Sequence, residues 1–289
     1  MFRKQLESYA HQVETFLEQL PWKKGVLEES MIYSLIGGGK RIRPVLAVAA
    51  AKATGGDVES ILPAACALEL IHTYSLIHDD LPAMDNDDYR RGRLSNHKVF
   101  GEGKAILAGD GLLTYAFELI AQPINEVPAD RQLRVIREVA RAAGPEGMVG
   151  GQVADLEAEG KNLTLPEIEQ IHRMKTGAML VVSARLGAIL AGGTEEKIEA
   201  LTRYAQAIGL AFQIKDDILD LEGDSKTLGK PAHSDLQQHK STYPSLLGLE
   251  GAKAELKART SDAHAALETL ADRALFLHDL ADYIAERKH

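Results

Sequence analysis

An all-α fold, a single domain of roughly ten helices across residues 1–289 around a central apolar cavity, is what this sequence predicts. Three features predict it. Apolar residues recur at helical spacing along most of the chain, strand-type alternation is nearly absent, and glycine pairs rather than long Ser/Pro-rich linkers separate the helical stretches. With 45% hydrophobic and 26% charged residues, the chain has enough apolar surface for one large core and enough charge to solvate the outside.

Leu6, Val13, Leu17 and Leu20 share one helix face, and comparable faces run through residues 59–80, 105–121, 195–221 and 252–270. Start signals are legible. Thr164 with Glu167 forms a capping box, and Thr194 precedes Glu195 and Glu196 in a first turn. Breaks are expected at Gly37 to Gly39, Gly55 and Gly56, Gly101 to Gly103, Gly150 and Gly151, and Gly192 and Gly193.

A formal net charge of -9 argues against binding bare nucleic acid, because a polyanion is repelled unless cations are gathered locally or divalent metal reverses the sign of the site. Cys66, the one cysteine, makes no internal disulfide and lies in the apolar run 61–70, as a buried thiol in a reducing compartment would. Charge interrupts residues 1–20 every few positions and Arg185 breaks the most apolar later stretch, so a cytoplasmic location without membrane is expected.

Acidic residues carry the strongest chemical signal. Asp79 and Asp80 end an apolar helix, and Pro82 disfavours helical geometry at Leu81, so Asp85 comes from the turn beyond and can converge on them. In the second cluster Asp216 and Asp220 stand four apart on one helix face, with Asp217 beside them. Carboxylates this close repel one another unless a cation intervenes, and oxygen-only donors suit a hard ion such as Mg²⁺. Any one of these aspartates taken singly reads better as a solvated helix end; both clusters together do not.

Basic residues are grouped beside the acids. Gly37, Gly38 and Gly39 precede Lys40, Arg41 and Arg43, and Arg90, Arg91 and Arg93 follow the first cluster. A backbone without side chains next to Arg forks and a Lys point charge reads as a diphosphate cradle, although no GKS or GKT ending marks a nucleotide loop. His72 precedes Asp79 by almost two helical turns and faces the same way.

Together the segments GGGKRIRP, HDDLPAMDNDDYRRGR, GMVGGQVADL, KTGA, FQIKDDILD, LGK and KSTYP resemble the trans-polyprenyl diphosphate synthases, in order and spacing like the bacterial-type farnesyl enzymes, over residues 37–240. That resemblance implies the isoprenoid synthase fold and a head-to-tail prenyl transfer from dimethylallyl or geranyl diphosphate to isopentenyl diphosphate. It implies that Lys40, Arg43, His72 and Arg91 hold the isopentenyl diphosphate, while Arg90, Lys175, Thr176, Gln213, Lys230 and Lys240 serve the allylic diphosphate. Asp79, Asp80 and Asp85, opposite Asp216 with Asp217 and Asp220, would ligate about three Mg²⁺. Lys175, Thr176, Gln213 and Lys230 join those aspartates as the catalytic set.

Tyr74, roughly 7 to 8 Å along the helix from Asp79, with Ser75 beside it, is expected to limit product length. Asn86 and Lys215 depart from the family pattern without removing an expected ligand. A homodimer is expected by resemblance. A geranylgeranyl synthase is the alternative, needing more room below Tyr74. A terpene cyclase fits less well, since the second motif is Asp216-Asp217-Ile218-Leu219-Asp220 and Lys40, Arg43 and His72 supply a second diphosphate site. A non-catalytic regulatory subunit would not require both acid clusters.

Overall fold

The computed structural model describes residues 1–124, 127–222 and 241–287. Helices α1 (Phe2–Glu18), α2 (Val26–Leu35), α3 (Ile42–Thr54) and α4 (Val58–Asp79) lead to an antiparallel hairpin of β1 (Tyr89–Arg90) and β2 (Arg93–Leu94). Then come α5 (Asn96–Phe100), α6 (Glu102–Ala121), α7 (Ala129–Ala143), α8 (Met148–Ala158) and α9 (Leu165–His172). A π-helical turn, Arg173–Gly177, joins α9 to α10 (Ala178–Leu190). After α11 (Glu195–Glu222), α12 (Tyr243–Ala266) and a 3₁₀ segment (Glu268–Ala274) precede α13 (Leu275–Glu286).

The architecture is all-α, and the long periodic stretches lie where their spacing puts them. The capping box of Thr164 and Glu167 forms at the start of α9. Two expectations differ. The face expected over residues 252–270 ends as α-helix at Ala266, because the chain tightens into the 3₁₀ segment and Ala271 takes a φ of 47°. Gly150 and Gly151, expected as a break, lie inside α8, where a β-carbon on Gly151 would collide with the backbone of Lys175. The glycines serve close packing of α8 on the π turn.

At the centre, α10 packs between α3 and α11, and α4 between α3 and α6. Nearly every residue of α3 is buried, which is why its apolar residues run all round rather than along one stripe. Among the described residues α4 alone has the length and hydropathy to cross a membrane, and it is mostly buried in this core. An ion pair locks α3 to α4: Arg41, buried and left-handed (φ 52°), donates from Nη1 to Glu69 Oε1 at 2.7 Å and from Nη2 to the Leu35 carbonyl at 2.8 Å. That seam aims the loop before α3 at the middle of α4.

The last helix is anchored at several points. Tyr204 donates its hydroxyl proton to the Leu277 carbonyl at 2.7 Å, and the ring nitrogens of His264 meet His278 at 2.7 Å and Asp282 at 2.9 Å. These contacts bring the end of α13 to the acidic part of α11.

Candidate active site

The first acid cluster is shaped by the end of α4. Once Pro82 stops the helix, the chain curls back, so that the Asp85 N–H donates to the Asp79 carbonyl at 2.9 Å and the Asn86 N–H to the Leu81 carbonyl at 3.1 Å. Asp85 therefore returns over Asp79. The β1–β2 hairpin turns at Arg91 and Gly92, both at positive φ, and this two-residue turn presents the arginines back toward the acids. Arg90 Nε donates to Asp80 Oδ1 at 2.9 Å, and a second nitrogen reaches Asp80 and, at 3.2 Å, Asp87. Arg91 donates to the Gly38 carbonyl, tying the hairpin to the glycine loop before α3.

The second cluster lies on α11. Asp216 Oδ1 accepts from Arg287 at 2.7 Å, and Asp217 Oδ2 accepts from the Tyr243 N–H at the start of α12 at 2.9 Å. Asp220 is buried. Facing them, the π turn shows Lys175 and Thr176, and Lys175 Nζ is 2.7 Å from Asp155 Oδ2 of α8. A π-helical bulge rotates its side chains relative to the flanking helix, and such bulges recur at functional sites.

Two hollows meet at these elements. A cavity of about 590 Å³ is lined by residues 37–43, Glu69, His72, Arg91, Thr176, Leu180 and Phe212. A cleft of about 320 Å³ is lined by Asp155, His172, Lys175, Gln213, Asp216 and Asp217, among others. Lys175 and Thr176, and likewise Phe212 and Gln213, are chain neighbours, so the hollows sit on either side of the same two helical segments.

Their electrostatics are unbalanced in opposite senses. Around the cavity, burial lowers the pKa values of Arg43, Arg91 and Lys40; Glu69 opposes this at Arg43 and Arg91 and Asp216 at Lys40, while neighbouring guanidiniums add to it. Burial, then Arg43, Arg91, Arg41 and Arg90, drives His72 well below the ordinary imidazole range. Arg43 Nε is buried without a hydrogen-bond partner among the described residues. A polyanion would relieve this wall. On the acid side, burial pushes Asp79 up to about 6, aided by Asp85 and Asp80 and opposed by Lys175 and Arg90. Asp80 is raised by burial despite its hydrogen bond from Arg90. A cation would relieve that wall. The donors are all oxygen, which fits a hard divalent ion. Among the described residues no group of three His, Cys, Asp or Glu side chains is already gathered closely enough to hold a metal ion.

Of the residues singled out from sequence, Lys40, Arg43, His72, Arg91 and Thr176 line the cavity, and Lys175, Gln213, Asp216 and Asp217 line the cleft. Lys175 acts electrostatically on Asp79, which links the first cluster to the cleft. Tyr74 is buried edge-on to His78 with ring centroids 5.6 Å apart, and His78 contacts the Ile106 carbonyl at 3.0 Å, so Tyr74 lies on the α6 side of α4. The Ser75 hydroxyl donates to the His72 carbonyl at 2.9 Å. Lys230 and Lys240 lie outside the described residues. Three residues not singled out also belong here. Asp155 sits inside the quoted segment GMVGGQVADL, Glu69 is an acid in the apolar run of α4, and Arg287 carries no signal in the sequence.

Comparison with known proteins places this geometry. The family model described as polyprenyl synthetase matches residues 24–274. The chain is 53% identical to farnesyl diphosphate synthase of Geobacillus stearothermophilus over 264 residues, covering 91% of this chain and 89% of that one. It is 46% identical to farnesyl diphosphate synthase of Escherichia coli, covering 99% of each. Geranylgeranyl diphosphate synthase of Cyanophora paradoxa is 49% identical, over 90% of this chain and 87% of that protein. The apo crystal structure of an FPP/GFPP synthase from Zymomonas mobilis superposes with a TM-score of 0.88 at 39% identity, covering 98% of both chains.

Proposed function

The chain belongs to the polyprenyl synthetase family, and on that premise we propose that it condenses dimethylallyl or geranyl diphosphate with isopentenyl diphosphate to give farnesyl diphosphate and diphosphate. The observation that carries this reading is geometric: a cavity lined by Lys40, Arg43, His72 and Arg91 lies beside a cleft lined by Lys175, Asp216 and Asp217. A metal–diphosphate complex satisfies both walls at once.

Lys40, Arg43, His72 and Arg91 hold the isopentenyl diphosphate. Arg90, Lys175, Thr176 and Gln213 orient the allylic diphosphate, with Lys230 and Lys240 assigned to it from resemblance alone. Asp79, Asp80 and Asp85 on one side and Asp216, joined by Asp217 and Asp220, on the other are the ligands for about three Mg²⁺. When bound, Mg²⁺ neutralises charge on the leaving diphosphate. The allylic C–O bond breaks with its electron pair going to diphosphate, the isopentenyl double bond forms the new C–C bond, and the departing diphosphate takes the proton. Thr176 and Gln213 direct oxygen dipoles at the allylic cation, and Leu180 and Phe212 keep water from it.

Metal ligation requires the ionised carboxylate, so divalent-ion affinity should fall as pH drops through the value of about 6 held by Asp79. Mn²⁺ titrations of the protein from about pH 8 to about pH 5 read this directly. A flat profile contradicts a ligand role for Asp79.

Chain length is assigned to Tyr74, with Ser75 beside it. Tyr74→Ala should shift the product toward twenty carbons or more by opening space along α4, and an unchanged distribution removes Tyr74 from that role. The similarity to geranylgeranyl synthases supports a second reading, in which twenty carbons is the native product. Incubation with dimethylallyl diphosphate, isopentenyl diphosphate and Mg²⁺, followed by chromatography of the dephosphorylated alcohols, decides: a fifteen-carbon product supports the farnesyl assignment, and mainly twenty carbons rejects it.

One continuous apolar core from Tyr9 to Ile284 supports reading residues 1–289 as a single domain. Exposed Val26, Leu27, Val99, Ile106 and Leu107 on neighbouring α2, α5 and α6 support a homodimer. The cytoplasm is the location assigned to it, with no membrane or nucleic-acid partner.

A further inference from the structure

Arg287 follows the last turn of α13 and points into the second acid cluster. Its Nη2 lies 2.7 Å from Asp216 Oδ1 and 3.0 Å from the Phe212 carbonyl, and its guanidinium stacks 4.0 Å from the Phe212 ring. The Arg287 side chain is only 6% exposed, whereas Asp216 remains 42% exposed on its other side. Asp216 and Arg287 both act on Lys40, so the pair sits where the cleft meets the cationic cavity.

We propose that Arg287 is a stand-in cation for this cluster, holding the Asp216 carboxylate until a divalent ion, arriving with a diphosphate, displaces it. The inference rests on the reading of Asp216 as a metal ligand. A guanidinium this buried needs an anion beside it. It also repels a second cation brought to the same oxygen. Metal alone must therefore work against Arg287. Metal accompanied by diphosphate brings the negative charge that lets the guanidinium leave Asp216. The site thus discriminates against loading metal without substrate. The anchoring of α13 through Tyr204 and His264 keeps Arg287 within reach for the next cycle.

The test is Mn²⁺ binding to the whole protein, followed by electron paramagnetic resonance with and without inorganic diphosphate. Arg287→Gln, which keeps a donor for the Phe212 carbonyl but loses the charge, should bind Mn²⁺ alone roughly tenfold more tightly than wild type. Arg287→Lys, which keeps the charge, should bind it like wild type. With diphosphate present the gap between Gln and wild type should shrink. In an Asp216→Asn background, Arg287→Gln should add nothing. Unchanged affinity in Arg287→Gln, or a gain that persists beside Asp216→Asn, overturns the proposal. If Asp216→Asn binds Mn²⁺ like wild type even with diphosphate present, where Arg287 no longer holds the carboxylate, the reading of Asp216 as a ligand has failed instead. Thermal unfolding of each variant verifies that α13 is intact.

Discussion

Asp79→Ala is expected to lower Mg²⁺-dependent condensation by at least about 10³-fold while leaving the protein folded. Asp79 ends α4 and bonds through its backbone, which the substitution keeps; only the carboxylate that faces Lys175 and Asp85 is lost. Stability should rise rather than fall when metal is absent. A carboxyl held at about 6 binds more protons in the folded than in the unfolded chain between its ordinary value and 6, so folding stability drains away as pH rises through that window. At neutral pH the ionised group therefore costs folding free energy, on the order of 1 kcal/mol after solvent screening is discounted. Steady-state rates with saturating Mg²⁺, together with thermal unfolding in EDTA, test both halves. A variant with near wild-type turnover contradicts the ligand role.

Glu69→Ala should cost about 3 to 5 kcal/mol of unfolding free energy, the largest stability effect expected of a single change here. Removing Glu69 leaves the Arg41 guanidinium buried, with Glu14, 3.6 Å from Nε and 41% exposed, as its remaining acid. Glu69→Gln, which can still accept a hydrogen bond from Arg41 Nη1, should cost markedly less. Because this pair sets Lys40, in the loop before α3, and Arg43, in its first turn, against the helix carrying His72, the weakened seam should also raise the KM for isopentenyl diphosphate. Equilibrium urea unfolding compares both variants with wild type, and a Glu69→Ala variant as stable as wild type would show that the ion pair does not hold α3 to α4.

Helical periodicity made the long elements legible because a buried helix needs apolar residues at spacings that a loop does not. Short segments escaped it. The β1–β2 hairpin has two residues per strand, too few for alternation to register, and only the Arg91-Gly92 turn marks it. Gly150 and Gly151 look like a break in sequence, since a glycine reports freedom of the backbone but not which neighbour presses against it.

The site divides along the same line. Pro82 foretold that Asp85 would come back toward Asp79, because the residue's constraint on backbone geometry is local. Partners far apart in the chain carried no such sign: Lys175 with Asp155, Arg41 with Glu69, and Arg287 with Asp216 are set by packing of whole helices. Arg41 shows the risk in grouping charges by sequence alone. It lies between Lys40 and Arg43 in the basic run, yet its side chain turns inward to Glu69 and fastens the loop.

Diffraction from crystals of the protein holding Mn²⁺ and inorganic diphosphate, measured at the manganese absorption edge, tests the central claim most directly. The account predicts anomalous peaks within coordination distance of Asp79 and Asp85 on one side and of Asp216 on the other, bridged by one diphosphate. Peaks at one cluster alone, or two clusters binding separate ions with no shared anion, would contradict it.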